Sequence, residues 1–272
     1  SSRGAPLKLG NDYVFANYIE NRICNGGLTP YAVLGEIKER NIKFNTSVCL
    51  TTLYSYIRKG VFLRLEMKHL PFAGTRVKRK RHLTVNRPPR GTSIEERPDE
   101  VSSRKTFGHW EMDCVCGSSK YALLVLSERL TRKEIIMRIP NKETATVVKC
   151  LNVLERKYGS CFYSIFKSIT VDNGSEFSDY NSLVKSRYGN KKRTTVYYCH
   201  PYRSSERGTN ERLNREIRRK IPKGSDIAAY SDEDISSVET WLNNYPRGCL
   251  NFKTPNALFN AHVNAIKENR PL

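Results

Sequence analysis

Three short helical patterns open the chain. Apolar residues recur at helical spacing across residues 11–24, again after Thr29-Pro30, and across residues 48–59, where Gly60 ends the pattern. Thr29 followed by Pro30 is typical of a helix N-cap and the first helical residue. The three helices predict a helix-turn-helix domain, with a protein-interaction bundle as the alternative. The third helix would present to DNA its polar residues Thr51, Thr52, Tyr54, Ser55 and Arg58.

Residues 69–106 break this regularity. Prolines and glycines recur through the segment and few residues are apolar, so it cannot bury a core of its own. The segment also contains the basic residues Arg76, Lys78, Arg79, Lys80 and Arg81. It is predicted to be an extended linker that lies along a phosphate backbone.

From Phe107 onward, short strands alternate with helices. Strands are predicted over residues 110–116, 121–127, 135–139, 162–171 and 195–199. A helix capped by Asn141, with Val153 among its buried residues, follows the third strand, and further helices are predicted over 178–187 and 204–220. This order predicts an α/β fold with a mixed sheet and helices on both faces.

These patterns predict four parts in the chain. They are an all-α helix-turn-helix domain at residues 1–68, a basic linker at 69–106, an α/β domain at 107–225 and a helical extension of that domain at 226–272. A capping box from Ser231 to Asp234 opens the extension.

The distribution of charge narrows the class of partner. The 272 residues include 47 Lys and Arg against 27 Asp and Glu, a net charge of +20. Residues 76–90 hold seven basic and no acidic residues, and residues 185–223 hold thirteen basic and three acidic ones, so these blocks carry 17 of the 20 charges. Such concentration favours nucleic acid over a membrane as the partner. In the second block, the candidate DNA contacts are Arg207, Arg212, Arg215 and Arg218.

The apolar runs and the cysteines of the sequence bear on the cellular compartment. No apolar run is long enough to span a membrane, and the first ten residues contain no apolar signal-peptide core. The eight cysteines are scattered without a CxxC pair, which favours reduced thiols in an intracellular compartment. The chain does not begin with Met, and we expect an N-terminally trimmed sequence.

Three acidic residues form the candidate catalytic set. Asp113 lies on the first predicted strand, Asp172 follows a later strand, and Glu211 lies within the basic helix. If those two strands are neighbours, the aspartates converge at one sheet edge. Three carboxylates suit Mg²⁺ or Mn²⁺, and two such ions about 4 Å apart can support in-line phosphoryl displacement. The alternative for each acid taken singly is a surface salt bridge.

The chain resembles bacterial insertion-sequence transposases of the IS30 family in an ordered set of motifs. The motif Phe107-Gly108-His109-Trp110-Glu111-Met112-Asp113 resembles the entry to their catalytic core. Residues 169–177 (ITVDNGSEF), 200–214 (HPYRSSERGTNERLN) and 221–226 (IPKGSD) continue the likeness in order, as do Lys253-Thr254-Pro255. The helix that contains residues 52–57 (TLYSYI) is similar to the family's second helix-turn-helix.

The resemblance implies a DDE transposase with an RNase H-like catalytic domain that uses Asp113, Asp172 and Glu211. It also implies a further helix-turn-helix before Ser1. Arg218 falls where related integrases often have a basic residue after the third acid. Met112 departs from the glycine that is common in relatives, and its side chain is expected to point away from Asp113.

Several neighbouring residues have two interpretations. Glu111 shares a strand face with Asp113, and we favour a structural role over that of a metal neighbour. Glu176 is assigned a structural or helix-start role. Glu206 competes with Glu211 for the third catalytic position, and the surrounding motif favours Glu211. His200 and Tyr202 are assigned either DNA contact or simple packing.

Together these observations predict a transposase that binds the terminal inverted repeats of its element, frees 3′-hydroxyl ends and transfers them into target DNA. It would use two Mg²⁺ or Mn²⁺ ions, act as a dimer or larger assembly on double-stranded DNA, and work in the bacterial cytoplasm at the nucleoid. The alternatives are a non-catalytic DNA-binding derivative of a transposase and an RNase H-like nuclease.

Overall fold

A computed structural model describes residues 7, 9, 12–71, 91–200, 206 and 208–269, except for the side chain of Glu211. The chain forms two compact units, Ser1–Lys80 with Tyr245–Thr254, and Arg81–Asn244 with Pro255–Leu272. Among the described residues, no helix is long and apolar enough to cross a membrane. Outside the described residues lie Tyr202 and the predicted DNA contacts Arg76, Lys78, Arg79, Lys80, Arg81 and Arg207.

The described part of the first unit is helical. Its helices are α1 (Tyr13–Glu20), which continues into a π-helical turn, α2 (Pro30–Glu39) and α3 (Leu50–Arg58). The Thr29 hydroxyl accepts a hydrogen bond from the Ala32 amide at 3.2 Å, with Pro30 as the first helical residue, so the predicted N-cap is confirmed.

The core of the first unit includes a segment from near the end of the chain. Phe15, Ile19 and Leu53 are buried between the three helices. Within residues 245–254, the Tyr245 hydroxyl accepts a hydrogen bond from the Thr29 amide at 2.9 Å. A Cβ added at Gly35 would lie 1.9 Å from a ring carbon of Phe252, so glycine allows this ring to reach α2. The segment is therefore an integral part of this unit.

The second unit is built on a mixed five-stranded sheet. Its elements in chain order are α4 (Asp99–Ser103), β1 (His109–Cys116), β2 (Ala122–Glu128), β3 (Glu134–Ile139), α5 (Thr144–Tyr158), α6 (Phe162–Ile165), β4 (Ser168–Val171), α7 (Tyr180–Val184), β5 (Thr195–Tyr198), α8 (Gly208–Ile217), α9 (Asp232–Asn243) and α10 (Pro255–Lys267). The strand order is β3-β2-β1-β4-β5. Strand β2 runs antiparallel to its neighbours β1 and β3, and β4 and β5 run parallel to β1. The predicted mixed α/β sheet is confirmed.

Strand β1 separates two apolar layers. Trp110 and Met112 are fully buried in the layer that contains α5 and α10, where the Trp110 indole donates to the Ile165 carbonyl at 2.7 Å. Val115 lies in the opposite layer with residues of α8 and α9, such as Ile217. Because side chains alternate along a strand, Glu111 and Asp113 face α8. Met112 therefore points away from Asp113, as expected.

Three local predictions are corrected or confirmed by this architecture. The strand predicted over residues 162–171 is wrong in its first half, because Phe162–Ile165 forms a helical turn that buries both terminal side chains before β4 begins at Ser168. Val153 is exposed although it was expected in the buried face of α5, since Leu151 and Leu154 already fill that face. The predicted capping box at Ser231 and Asp234 is confirmed at the start of α9.

The buried imidazole of His109 makes stability depend on pH. Burial, together with the positive charges of Lys167 and Arg129, lowers the pKa of His109 to about 4. Its Nδ1 lies 2.7 Å from the Ser168 hydroxyl oxygen. An unfolded histidine titrates near pH 6.5, so below that pH the unfolded chain takes up a proton that the folded chain resists.

We therefore expect the contribution of His109 to stability to be complete above about pH 6.5 and to fall as the pH drops towards 4. The loss between about pH 7.5 and pH 5 should be about 2 kcal/mol. Urea unfolding of the parent and His109→Gln at both pH values tests this expectation, because the variant should lose less stability on acidification. Equal losses in the two proteins would contradict it.

Candidate active site

Asp113 lies on the face of β1 that is covered by α8. Its Oδ1 accepts a hydrogen bond from the Cys114 amide at 2.9 Å, and its Oδ2 accepts one from the Asn214 side-chain amide at 2.9 Å. Asn214 belongs to α8, so this bond joins the strand to the helix. The Asp113 carboxylate is thereby held in one orientation while its residue remains partly exposed.

Asp172 comes directly after β4 and is held by the turn that follows. Its Oδ1 accepts a hydrogen bond from the Gly174 amide at 2.9 Å. A Cβ at Gly174 would approach this same oxygen to 2.9 Å and a Glu176 oxygen to 2.5 Å, so only glycine fits there without a shift. The turn therefore fixes the carboxylate at the end of its strand.

The pairing of β1 with β4 relates the positions of the two aspartates. Glu111 pairs in register with Thr170. Asp113 and Asp172 each follow this pair by two residues, so they occupy corresponding positions on β1 and just after the neighbouring parallel strand β4. The expectation that these strands are neighbours is confirmed.

Glu211 lies in the first turn of α8, the helix that packs on β1. Leu213 and Ile217 of this helix are buried, and Asn214 contacts Asp113. The side chain of Glu211 is outside the described part of the structure, so its place in the predicted triad remains a prediction. No cluster of three potential His, Cys, Asp or Glu ligands occurs among the side chains that are described.

A buried charge pair lies beside Asp113 on the same strand. The Glu111 side chain is fully buried, its Oε1 pairs with Arg129 Nη1, and its Oε2 accepts a hydrogen bond from the Asn210 amide at 2.9 Å. Burial lowers the pKa of Arg129 to about 10, and the negative charge of Glu111 opposes that shift. Both carboxylate oxygens of Glu111 are engaged, which favours the structural role over that of a metal neighbour.

The other acidic and histidine candidates also have partners. His200 Nδ1 lies 2.8 Å from Glu206 Oε1, and its Nε2 lies 3.0 Å from Glu95 Oε1. The hydrogen bond to Glu206 is the main cause that raises the pKa of His200. The buried Glu176 forms an ion pair with Lys142 at 3.2 Å. Glu206 and Glu176 are therefore each engaged with a basic side chain, which favours the structural interpretation of Glu176.

The described DNA-contact candidates differ in how accessible they are. Arg212 and Arg215 of α8 are exposed. Arg218 is half-buried and donates to the backbone carbonyls of Pro222 and Cys116, so the structure uses it to brace the end of α8. On α3, Thr51 and Arg58 are exposed and the intervening candidates, Thr52, Tyr54 and Ser55, are half-buried.

Sequence reasoning missed Asn210, Asn214 and Arg129. The two asparagines flank Glu211 and lie one helical turn apart, a spacing that places both on the same side of α8. That spacing was a usable signal. Arg129 carried no comparable signal, because its partnership with Glu111 depends on the hairpin between β1 and β2.

The donor atoms of this site fit a hard divalent cation. Asp113 and Asp172 supply carboxylate oxygens from neighbouring strands, which suit Mg²⁺ or Mn²⁺. Beside Asp113, the Asn214 Oδ1 is buried without a hydrogen-bond partner among the described groups. An unpartnered buried oxygen is costly, and a cation is one group that would satisfy it.

The strand order and strand directions of this unit are those of an RNase H-like α/β domain. In Escherichia coli (strain K12), transposase InsI for insertion sequence element IS30A is 31% identical over 232 residues, which cover 83% of this chain and 58% of that relative. The Bacteroides fragilis transposase for IS4351 is 31% identical over 250 residues, 89% of this chain and 72% of that relative. The chain belongs to the IS30 family of insertion-sequence transposases.

Further comparisons give the extent of this similarity. A probable transposase for the element IS1161 of Streptococcus salivarius is 33% identical over 76% of this chain and 57% of its own length. The chain thus spans less than two thirds of this relative and of the E. coli one. The catalytic core of BIV integrase matches 57% of this chain and 95% of its own with a TM-score of 0.43 and 20% identity. No protein-family model matches the chain.

The burial of Arg129 yields a stability prediction. Replacing Arg129 by Met leaves the Glu111 carboxylate buried without its counter-charge, and we expect a loss of about 3–5 kcal/mol in the free energy of unfolding. Urea denaturation measures this loss. Arg215→Met, a change at an exposed arginine of α8, is the control and should alter stability by less than about 0.5 kcal/mol. Similar losses in both variants would refute the importance of the pair.

Proposed function

We propose that this chain is a metal-dependent DNA transposase that cuts at the terminal inverted repeats of its element and joins the freed 3′-hydroxyl ends to target DNA. The observation that carries the proposal is the parallel pairing of β1 with β4, because Asp113 and Asp172 each follow the last pair, Glu111 with Thr170, by two residues. Membership of the IS30 family supports it, because the named relatives are transposases.

The proposed metal ligands are Asp113, Asp172 and Glu211. Two Mg²⁺ or Mn²⁺ ions, when bound, would activate the hydroxyl nucleophile and stabilise the leaving oxygen of the phosphodiester. The protein's contribution is to hold its acids in place before DNA arrives. Asn214 orients Asp113, the Gly174 amide orients Asp172, and the packing of α8 brings the backbone of Glu211 to the same face of β1.

Double-stranded DNA is the proposed partner. We assign α3 to reading the sequence of the repeats through Thr51, Thr52 and Ser55, and the linker to contacting phosphates. Because two element ends must be joined, we propose at least a dimer on DNA. The proposed location is the bacterial cytoplasm, at the nucleoid.

Strand-transfer assays test the catalytic assignment. With labelled DNA bearing the terminal repeats of the element and Mg²⁺, the parent chain should cut and join strands. Asp113→Asn, Asp172→Asn and Glu211→Gln should each reduce joining by at least about 1,000-fold, since each removes a charged metal ligand.

Binding to the same labelled DNA is the control for that assay. The three variants should retain DNA binding, because the proposed sequence-reading helix lies elsewhere in the chain. If Asp172→Asn cuts as well as the parent, the catalytic assignment is wrong. Binding without cutting by every protein, including the parent, would favour a non-catalytic DNA-binding protein, and cutting without joining would favour a nuclease.

Exposed cations outside the carboxylate site support a wider DNA surface. A cavity of about 1040 Å³ lies at the beginning of β4 and β5, the opposite strand ends from Asp172, and its lining includes Arg156, Lys191 and Lys192. Tyr163 and Tyr188 also line it and are exposed by 59% and 60%. Cations together with exposed aromatic rings suit contact with a nucleic acid strand.

Neutralising this surface should change the salt dependence of DNA binding. For Lys191→Gln combined with Lys192→Gln, we expect weaker binding and a logarithmic salt slope reduced by about 0.9 for each phosphate that the variant no longer neutralises. Fluorescence anisotropy over a range of salt concentrations measures the slope. The matched control is Lys149→Gln with Lys267→Gln, which removes two exposed charges from α5 and α10. An equal change in both double variants would argue against a specific surface.

A further inference from the structure

Two pairs of residues attach α8 to β1 at two levels. On the strand, Glu111 and Asp113 lie two residues apart on the same face. On the helix, Asn210 and Asn214 lie four residues apart, also on one side. Glu111 accepts from the Asn210 backbone amide and Asp113 accepts from the Asn214 side-chain amide, each at 2.9 Å.

The spacings of the two elements match at these contacts. Two residues along a strand advance about 6.8 Å, and four residues along an α-helix advance about 6 Å. Both hydrogen bonds can therefore form at once in a single register. A shift of the helix by one residue would break both bonds, so together they fix the position of α8 along β1. Glu211 lies between the two attachment points.

The contact between Glu111 and Asn210 is reinforced from the adjacent strand. Ser127 of β2 pairs in register with Glu111, and its hydroxyl donates to the Asn210 side-chain oxygen at 2.7 Å. Asn210 is 1% exposed, so both of its bonds form away from water. A backbone amide in the first helical turn has no acceptor within the helix, and Glu111 supplies one. Its negative charge also suits the positive end of the helix dipole.

Arg129 compensates the buried negative charge of Glu111. Its Nη1 pairs with Glu111 while its Nε donates to the Val101 carbonyl of α4 at 3.1 Å. The backbone amide of Arg129 donates to the His109 carbonyl at 2.9 Å, which joins it to the start of β1. Through Arg129, the Glu111 carboxylate is thus held to α4 and to the start of β1, independently of its contact with α8.

We propose that Glu111 is a positioning residue, which acts through the Asn210 amide to place the backbone of Glu211 near Asp113 and Asp172. This inference rests on the proposed function of Asp113, Asp172 and Glu211 as metal ligands. Glu111 itself does not touch the metal in this scheme, because Arg129 and Asn210 occupy its two oxygens. Residues that orient metal ligands from outside typically alter metal affinity by about 10–100-fold when they are changed.

Two double variants separate the acceptor at position 111 from its charge. Glu111→Gln with Arg129→Met retains an oxygen for the Asn210 amide, whereas Glu111→Met with Arg129→Met removes it at nearly the same size. Neither leaves an unpaired buried charge, which is the state that most endangers folding. Thermal denaturation first verifies that both proteins fold.

Calorimetric titration of the full chain with Mn²⁺, without DNA, gives a readout independent of activity. We expect the Gln variant to bind Mn²⁺ within about threefold of the parent, and the Met variant to bind at least about tenfold more weakly. Strand joining by the Met variant should also require correspondingly more Mg²⁺ for half-maximal rate. Asn210→Ala, which keeps the backbone amide and removes the hydrogen bond to Ser127, is the control for general loosening of α8.

The outcomes distinguish this inference from the proposed function. Mn²⁺ affinity equal to the parent's in both the Gln and the Met variant would overturn the positioning role and leave the metal site standing. Equal weakening in both would assign the effect to the missing charge, and it would overturn the role of the acceptor. Absence of Mn²⁺ binding by the parent would overturn the proposed function and this inference together.

Discussion

The attachment of α8 to β1 is the constraint on which the candidate site depends. Apolar contacts such as those of Leu213 and Ile217 hold the helix on the sheet, but hydrophobic attraction has no direction and tolerates small shifts. The hydrogen bonds at Glu111 and Asp113 are directional. At Glu111 the acceptor is charged and shielded from water, where a hydrogen bond is stronger and an unpaired group is more costly. Burial of apolar side chains therefore holds α8 on the sheet, and the two hydrogen bonds fix its position along β1.

The alternation of β1 gives the site a rigid support. Trp110 and Met112 are packed into one apolar layer, so the strand cannot move without disturbing the core. The acids at the intervening positions project from the other face towards α8. The same eight-residue strand thus contains both fully buried core side chains and the side chain that we assign to metal binding. The packing of Trp110 and Met112 on the opposite face of β1 therefore helps to fix the position of Asp113.

The sequence predicted those parts of the structure that local rules determine. The helix cap at Thr29, the capping box at Ser231 and the three antiparallel strands follow from side-chain pattern and turn chemistry. The helical turn Phe162–Ile165 and the exposed Val153 did not follow, because packing against distant residues decides them. At the site, residue types pointed to Asp113 and Asp172, and the structure makes β1 and β4 neighbouring strands. The pairing of Glu111 with Arg129 requires the β1–β2 register, which no local pattern reveals.

The contribution of residues 245–254 to the first unit has a consequence for biosynthesis. The chain begins this unit with its first residues and supplies Tyr245 and Phe252 only after some 160 intervening residues of the second unit. During translation, which proceeds from the amino end, the Thr29 amide lacks its Tyr245 partner and Gly35 lacks its contact with Phe252 until residues 245–254 have been made. A product that ends before residue 245 therefore cannot complete the helical unit.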